Sequence, residues 1–397
     1  MSSLKICENV YSVGVLNPSL RVFDIIMETK YGTSYNAYFV KGDEKCALIE
    51  TVHETYFDEY IENILSLTDV SKIDYLVLNH TEPDHTGSVE KLLKLNPEIE
   101  IVATNPGIKY VSAISNSSFK SIIVKDGDKI DLGGKTLEFH VAPFLHWPDS
   151  MFTYIPEQKV LFSCDMFGCH YCEPRMIDSK IMNTDAYDYS LNFYYTAIFS
   201  PFKQHVLNGI EKANKLEKDF ICTSHGPILT KHSIDRVIDL YKQWATSDSS
   251  EKKRVAILYV SAYGYTRMLA NKAYDLACSR GFDVQICDII KCDSSKVVSL
   301  ANECDILMLG SPTINRDALK PVWDTISSID AIGCAKKPAF VFGSYGWSGE
   351  AVKAICTRLS DMRFNVYPEG FRVNFKPSDD DLAEFEKRIN DFLSSSK

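Results

Sequence analysis

The stretch His80-Thr81-Glu82-Pro83-Asp84-His85 brings two imidazoles and two carboxylates into one short segment. It follows the apolar run Tyr75-Leu76-Val77-Leu78, which reads as a buried strand. It precedes Thr86-Gly87-Ser88-Val89-Glu90-Lys91-Leu92-Leu93, which reads as the start of a helix. A loop at a strand end can converge its side chains on one point, whereas a strand alternates them between faces. Mixed nitrogen and oxygen donors suit iron, zinc or manganese. Three more candidates close later β-like runs. His146 follows Phe139-His140-Val141-Ala142-Pro143-Phe144-Leu145, Asp165 ends Val160-Leu161-Phe162-Ser163-Cys164, and His225 ends Phe220-Ile221-Cys222-Thr223-Ser224. Four imidazoles and three carboxylates shared by two metals leave open coordination positions, which catalytic metals need. Any one of these residues alone reads as a core histidine or a helix-capping aspartate; the seven together read as a two-metal site. His53, His140, His170, His205 and His232 have no comparable motif and are expected at the surface, in the core or supporting a ligand.

The second half of the chain carries an independent signal. Arg254-Val255-Ala256-Ile257-Leu258-Tyr259-Val260 reads as a buried parallel strand. It runs into Ser261-Ala262-Tyr263-Gly264-Tyr265-Thr266, with a helix beginning near Arg267. A hydroxyl- and glycine-containing loop at a helix N-terminus offers backbone N–H groups and the positive end of the helix dipole to a phosphate. The Gly-Lys-Ser/Thr of nucleoside-triphosphate loops is missing, as is the Gly-x-Gly-x-x-Gly of dinucleotide folds. Two more loops follow strands: Gly310-Ser311-Pro312-Thr313-Ile314-Asn315 and Gly343-Ser344-Tyr345-Gly346-Trp347-Ser348-Gly349-Glu350. They lie at the carboxyl ends of their strands, where a doubly wound sheet binds ligands. Tyr345 and Trp347 offer flat faces there, and Gly346 and Gly349 let the backbone approach closely.

Composition and patterning set the frame for both signals. At 397 residues the chain should hold two or three domains, and 45% hydrophobic residues suffice for ordinary cores. A net charge of −10 argues against a nucleic-acid or anionic-membrane surface. The first residues lack the apolar core of a signal peptide, and no stretch approaches the roughly 20 apolar residues of a membrane helix. The 12 cysteines follow no framework spacing, which suggests reduced thiols in a cytosol. Cys169-His170-Tyr171-Cys172 has no second C-x-x-C to complete a rubredoxin-type site and is expected to be incidental packing. Ile234–Trp244 has helical apolar spacing, and the polar Thr246–Lys253 after it reads as a linker. Residues 1–250 are therefore expected to form one domain and 251–397 another. In the second, strand and helix alternate about five times. The run Asp379-Asp380-Asp381 is expected to cap a last helix near Leu382–Leu393.

The strand-end histidines and carboxylates resemble the metallo-β-lactamase superfamily, whose usual loop is His-x-His-x-Asp-His. Glu82 stands where that loop has its second histidine, and this substitution marks the flavodiiron proteins. The loops beginning at Ser261, Pro312 and Ser344 resemble those that hold FMN in flavodoxins. The resemblance implies an α+β, αββα metallo-β-lactamase-like sandwich followed by an α/β flavodoxin-like doubly wound parallel sheet. It also implies FMN and two non-haem irons as cofactors. His80, Glu82 and His146 would hold one iron, Asp84, His85 and His225 the other, and Asp165 would bridge them.

The implied activity is four-electron reduction of dioxygen to water, with some reduction of nitric oxide to nitrous oxide, in protection against oxidative and nitrosative stress. A predominantly nitric oxide reductase is the alternative, and a hydrolase of the same fold a more distant one. FMN accepts electrons in pairs and releases them singly, so it can feed a pair of irons. The implied partners are an external donor, either rubredoxin or a flavin- or NAD(P)H-linked reductase, and a second copy of the chain. Similar proteins form head-to-tail homodimers, sometimes paired again, that set one subunit's FMN beside the other's irons. The expected location is the cytoplasm. One departure stands out: many members carry His-Gly after an Arg-x-Phe, whereas Arg21-Val22-Phe23 is followed here by Asp24-Ile25-Ile26. Tyr195 is expected in the core, with a hydroxyl near the irons as the other reading.

Overall fold

Strands whose side chains alternate between two apolar environments build the first half of the chain. In this computed structural model, residues 3–24, 27–246 and 252–396 are described. The chain divides into two units, Met1–Ser247 and Asp248–Lys397; the expected boundary between residues 250 and 251 lies outside the described residues. The first unit has a seven-stranded sheet in the order Leu4–Cys7, Val10–Ser12, Tyr38–Lys41, Cys46–Ile49, Tyr75–Val77, Glu100–Ala103, Lys120–Ile123. A six-stranded sheet runs Lys129–Asp131, Thr136–Val141, Met151–Ile155, Val160–Cys164, Phe220–Thr223, Leu229–Thr230.

The period of two explains the layering. Tyr38, Val40, Ala47, Ile49, Tyr75 and Val77 of one sheet meet Phe139, Met151, Val160 and Phe162 of the other in a shared core. Their alternates Phe39, Leu48 and Leu76, with Phe152 and Leu161, join Tyr60, Leu92, Ile210, Val237 and Tyr241 of the helices in a second core. This is the expected αββα sandwich. The helix Phe57–Leu65 is preceded by a tighter turn at Glu54–Tyr56, and the helix Ile234–Thr246 lies where apolar spacing placed it.

The second unit is a parallel sheet ordered Asp283–Asp288, Arg254–Tyr259, Ile306–Gly310, Pro338–Tyr345, Asn365–Val366, with Phe371–Asn374 also pairing Pro338–Tyr345. Both faces are covered. Val255, Ile257 and Tyr259 pack with Leu269, Ala273, Phe385 and Phe392; Ala256 and Leu258 pack with Val297, Val322 and Ile355. The last helix, Asp379–Ser395, opens on a capping box: the Asp381 backbone N–H donates to Ser378 Oγ, and the Ser378 N–H donates to the Asp381 carboxylate at 2.9 Å. One expectation is corrected. Cys287 and Cys292 are joined by a disulfide, with Cα atoms 6.5 Å apart. The chain turns directly after the strand, Cys292 N–H donating to Asp288 O at 3.1 Å, and brings the two residues within bridging range.

Candidate metal centre

Each of the seven candidate ligands owes its place to a strand end. The strand Tyr75–Val77 stops three residues before His80. Asp84 and His85 do not sit on a loop, as expected, but on a short helix, Pro83–Thr86. Pro83 starts that helix because its fixed φ suits the first turn and its missing N–H costs no hydrogen bond there. Cys164 ends its strand at φ 55°, so the chain turns sharply at Asp165. His225 is followed by Gly226 at φ 80°, where a Cβ would lie 2.7 Å from the Cys169 carbonyl oxygen. Only glycine fits this turn. His146 lies on a loop held by Phe144 N–H to Trp147 O at 2.7 Å and by Ser150 Oγ–H to Leu145 O at 3.0 Å.

The side chains converge in two sets that meet at one carboxylate. In the first, His80 Nε2 lies 3.1 Å and His146 Nε2 3.3 Å from Glu82 Oε2. Asp165 Oδ2 is 3.8 Å from His80 Nε2 and 3.2 Å from His146 Nε2. In the second, His225 Nε2 is 3.0 Å from Asp84 Oδ2 and His85 Nε2 is 3.5 Å from Asp84 Oδ1. Here the other oxygen, Asp165 Oδ1, lies 3.3 Å from His85 Nε2 and 3.5 Å from His225 Nε2. All four histidines turn Nε2 inward, and Asp165 gives one oxygen to each set.

Burial and charge pull against each other here. Burial alone would depress His80, but hydrogen bonds with Asp149 and Glu82 hold it at about 10. Burial likewise opposes the charges of Asp84 and Asp165 at His85, which ends well above 6.5. Asp165 is held well below the usual carboxylate range: burial works against ionisation, and the neighbouring His85 charge and the His146 hydrogen bond overcome it. Both Asp84 oxygens, Asp165 Oδ1 and His85 Nε2 are nonetheless buried without a hydrogen-bond partner. Orphaned buried donor atoms converging from several elements fit metal ions, which would satisfy them together. The seven side chains could thus hold two ions. Glu82 and His146 are 18% and 15% exposed, so the open side is theirs.

The second unit's loops suit a phosphorylated flat ring. Gly264, at φ 87°, is the N-cap of the helix Tyr265–Ser279 and has no side chain of its own to cap it. Ser261 Oγ accepts the Arg267 N–H at 3.2 Å, and the buried Thr266 hydroxyl bonds Ser344 Oγ at 2.9 Å. The Thr313 N–H donates to Ser344 O at 2.8 Å, tying the second loop to the third. The first-turn amides of such a helix fit a phosphate. Tyr263 and Trp347, 82% and 87% exposed, offer aromatic faces to a ring system. Arg316 lies over Trp347 at 5.6 Å and Arg372 over Tyr345 at 5.9 Å.

Other expectations resolve unevenly. Tyr195 packs against Tyr241 and Trp244, both at 5.1 Å, as a core residue. Tyr194 is the tyrosine beside the ligands, its ring 4.9 Å from His170 and 6.1 Å from His225. His170 is buried, bonds Thr33 Oγ1 through Nδ1 at 2.8 Å, and is pushed well below 6.5 by burial and the His225 charge. His53 caps a turn at Thr55, His205 packs on Phe144, His140 is half-buried and His232 is exposed. Cys169 and Cys172 are free thiols. Asp24, which follows Arg21-Val22-Phe23, is raised to about 6 by burial and by the Glu82 and Asp84 charges; Ile25 and Ile26 lie outside the described residues. Sequence reading missed Glu50, Asp149 and Tyr194. Glu50 and Asp149 carried a usable signal, each being an acid beside a strand end or a candidate ligand.

Comparison with known proteins agrees with both halves. Residues 33–226 match the family described as ODP family beta lactamase and residues 257–387 match flavodoxin. The chain is 48% identical to the flavo-diiron protein FprA2 of Clostridium acetobutylicum, over the whole of both chains. It is 34% identical to a type A flavoprotein of Rhodobacter capsulatus, over 98% of this chain and 91% of that one. Among solved structures, the rubredoxin oxygen:oxidoreductase of Desulfovibrio gigas aligns over 100% of this chain and 98% of that one, with a TM-score of 0.72 at 28% identity. The flavodiiron protein of Giardia intestinalis does so over the same shares with 0.69, also at 28% identity.

Proposed function

The chain belongs to the flavodiiron proteins, oxidoreductases that reduce dioxygen, nitric oxide or both, and from that premise we propose that it reduces dioxygen to water, with nitric oxide as a lesser substrate. The observation that carries this reading is the division of Asp165 between two ligand sets, Oδ2 to one and Oδ1 to the other. His80, Glu82 and His146 are assigned to one iron, Asp84, His85 and His225 to the second, with Asp165 between them. The loops Ser261–Thr266, Pro312–Asn315 and Ser344–Gly349 are assigned to FMN. When bound, the irons supply one-electron redox steps and Lewis-acid charge, and FMN supplies electrons in pairs.

The chain's own residues do the rest. The buried histidines and Asp165 exclude water from all but the side lined by Glu82 and His146, which is where a diatomic gas enters. Four histidines with Nε2 inward fix the geometry before any ion arrives, so little reorganisation is left for the reaction. Tyr194 sets its ring 4.9 Å from that of His170 and carries a buried hydroxyl with no hydrogen-bond partner. The name of the Desulfovibrio gigas protein, which specifies rubredoxin and oxygen, supports dioxygen as the substrate and a small redox protein as the electron donor. We further assign the active form to a head-to-tail homodimer in the cytoplasm. Anaerobic purification with iron and flavin counting, then dioxygen and nitric oxide consumption from the reduced protein, tests the reading. Two irons and one FMN per chain with faster dioxygen loss support it; zinc, or reduction ending at hydrogen peroxide, overturns it.

Loading should also release protons. His80 is raised to about 10 and His85 well above 6.5, so near pH 7 the metal-free protein holds protons on them that metal ligation must displace; His146 and His225 are shifted in the same direction. Ferrous ion added anaerobically to metal-free protein in weak buffer should release about two or more protons per chain. Release should shrink as pH rises toward about 10, where His80 gives up its proton unaided. An unchanged pH on loading would remove these histidines from the ligand set.

A further inference from the structure

Beyond the seven ligands, two buried carboxylates stand directly behind two of the histidines. Glu50 is 1% exposed and follows the strand Cys46–Ile49 at φ 64°, in the left-handed region that glutamate rarely adopts. Its Oε1 accepts the Asn79 N–H at 2.9 Å, immediately before His80 in sequence. Its Oε2 lies 3.7 Å from His85 Nδ1, is buried, and has no hydrogen-bond partner. Asp149, 2% exposed, sets both oxygens 3.3 Å from His80 Nδ1 and accepts the Thr81 hydroxyl at 2.7 Å. Burying a carboxylate is costly unless something cationic or hydrogen-bonding meets it. Here each meets the outer nitrogen of a histidine whose inner nitrogen faces Asp165.

We propose that Glu50 and Asp149 are paired positioning residues, one behind each metal, that lock His85 and His80 in the tautomer with Nε2 unprotonated and bring anionic charge to each ion through the ring. The proposal rests on the two-metal reading above. A carboxylate accepting Nδ1–H, as Asp149 does from His80 at 3.3 Å, orients the ring, leaves the Nε2 lone pair inward and makes it more basic, whereas Glu50, 3.7 Å from His85 Nδ1, acts on its ring through charge. The other member of the second set is treated differently: His225 Nδ1 donates to a neutral carbonyl, Ser34 O, at 2.7 Å. The carboxylate support therefore goes to the two histidines whose rings meet edge-on at 5.1 Å and whose Nε2 atoms both lie near Asp165. The left-handed turn at Glu50 is the local strain that aims its side chain inward.

Glu50→Gln and Asp149→Asn keep the shape and remove the charge. Cobalt(II) titration of the metal-free chain, read by ligand-field absorption, gives affinities without reference to turnover. Iron Mössbauer spectra of the loaded protein read the two sites separately. Each variant should bind one of its two ions roughly 10–100-fold more weakly, leaving the other near wild type. Each should shift one quadrupole doublet, the Glu50 and Asp149 variants shifting different ones. Wild-type affinities and unchanged doublets in both variants would overturn the proposal. So would equal weakening of both ions together with a lowered melting temperature of the metal-free chain, the mark of a structural role alone. A wild-type chain that binds no pair of ions would instead overturn the two-metal reading.

Discussion

Asp165→Ala should leave a folded chain that still binds FMN but reduces neither gas, with turnover down on the order of 10³-fold or more. The carboxylate is shared, its two oxygens lying 3.2 Å from His146 Nε2 and 3.3 Å from His85 Nε2. Losing it removes one oxygen donor from each ion and one negative charge from between two cations. The effect should exceed that of losing Glu82 or Asp84, each of which serves one set. A 10³-fold loss corresponds to about 4 kcal/mol of transition-state stabilisation. Metal counting should fall from two ions to one or fewer while the flavin count is unchanged, because the flavin loops lie in the other unit. Asp165→Asn separates charge from shape: it keeps the outline, so a comparable loss there assigns the effect to the bridge rather than to a cavity. Two tightly held irons and near-normal turnover in either variant would end the bridging assignment.

The ligands were legible because the fold places them by a local rule. A polar residue closing an apolar β-run is visible in one dimension, and His80, Asp165 and His225 all follow that rule. Glu50 follows it too, after Cys46–Ile49, but which residue it stands behind became visible only with the parallel pairing of that strand with Tyr75–Val77, which sets it behind His85. Pairing between strands is a long-range fact that no local pattern encodes. That Tyr194, and not its core neighbour Tyr195, lies beside the ligand histidines was hidden for a different reason. Adjacent helical residues differ by about 100° in direction, and the run Phe193-Tyr194-Tyr195 is aromatic at every step, so it carries no phase. Tyr194 turns to His170 and His225, and Tyr195 to Trp244. The flavodoxin half was easier to read because its central strands, Arg254–Tyr259, Ile306–Gly310 and Pro338–Tyr345, are continuous buried apolar runs set off from one another by helices. The disulfide between Cys287 and Cys292 depends on a turn whose closure the spacing alone did not reveal.

The strongest test of the assembly uses two inactive chains. If FMN of one subunit serves the irons of its partner, a chain lacking the bridge and a chain lacking flavin should complement each other. Asp165→Ala supplies the first. Gly264→Asp supplies the second: aspartate tolerates both the left-handed conformation and a helix N-cap, but it sets a negative charge where the phosphate would bind. The space is open, a Cβ there meeting only the Arg267 guanidinium at 3.3 Å, so the chain should fold. Each homodimer should be nearly inactive. Co-expressed with different tags and purified as the heterodimer, the pair has one intact flavin facing one intact di-iron site under head-to-tail closure. It should therefore recover about half the wild-type rate. Pairing within a chain predicts none, since neither chain then holds both working centres. An inactive heterodimer with full iron on one chain and full FMN on the other would refute exchange between subunits, and a monomer with normal turnover would refute the need for a dimer. Recovery near half would place the electron path across the two-fold interface, because neither chain alone could have supplied it.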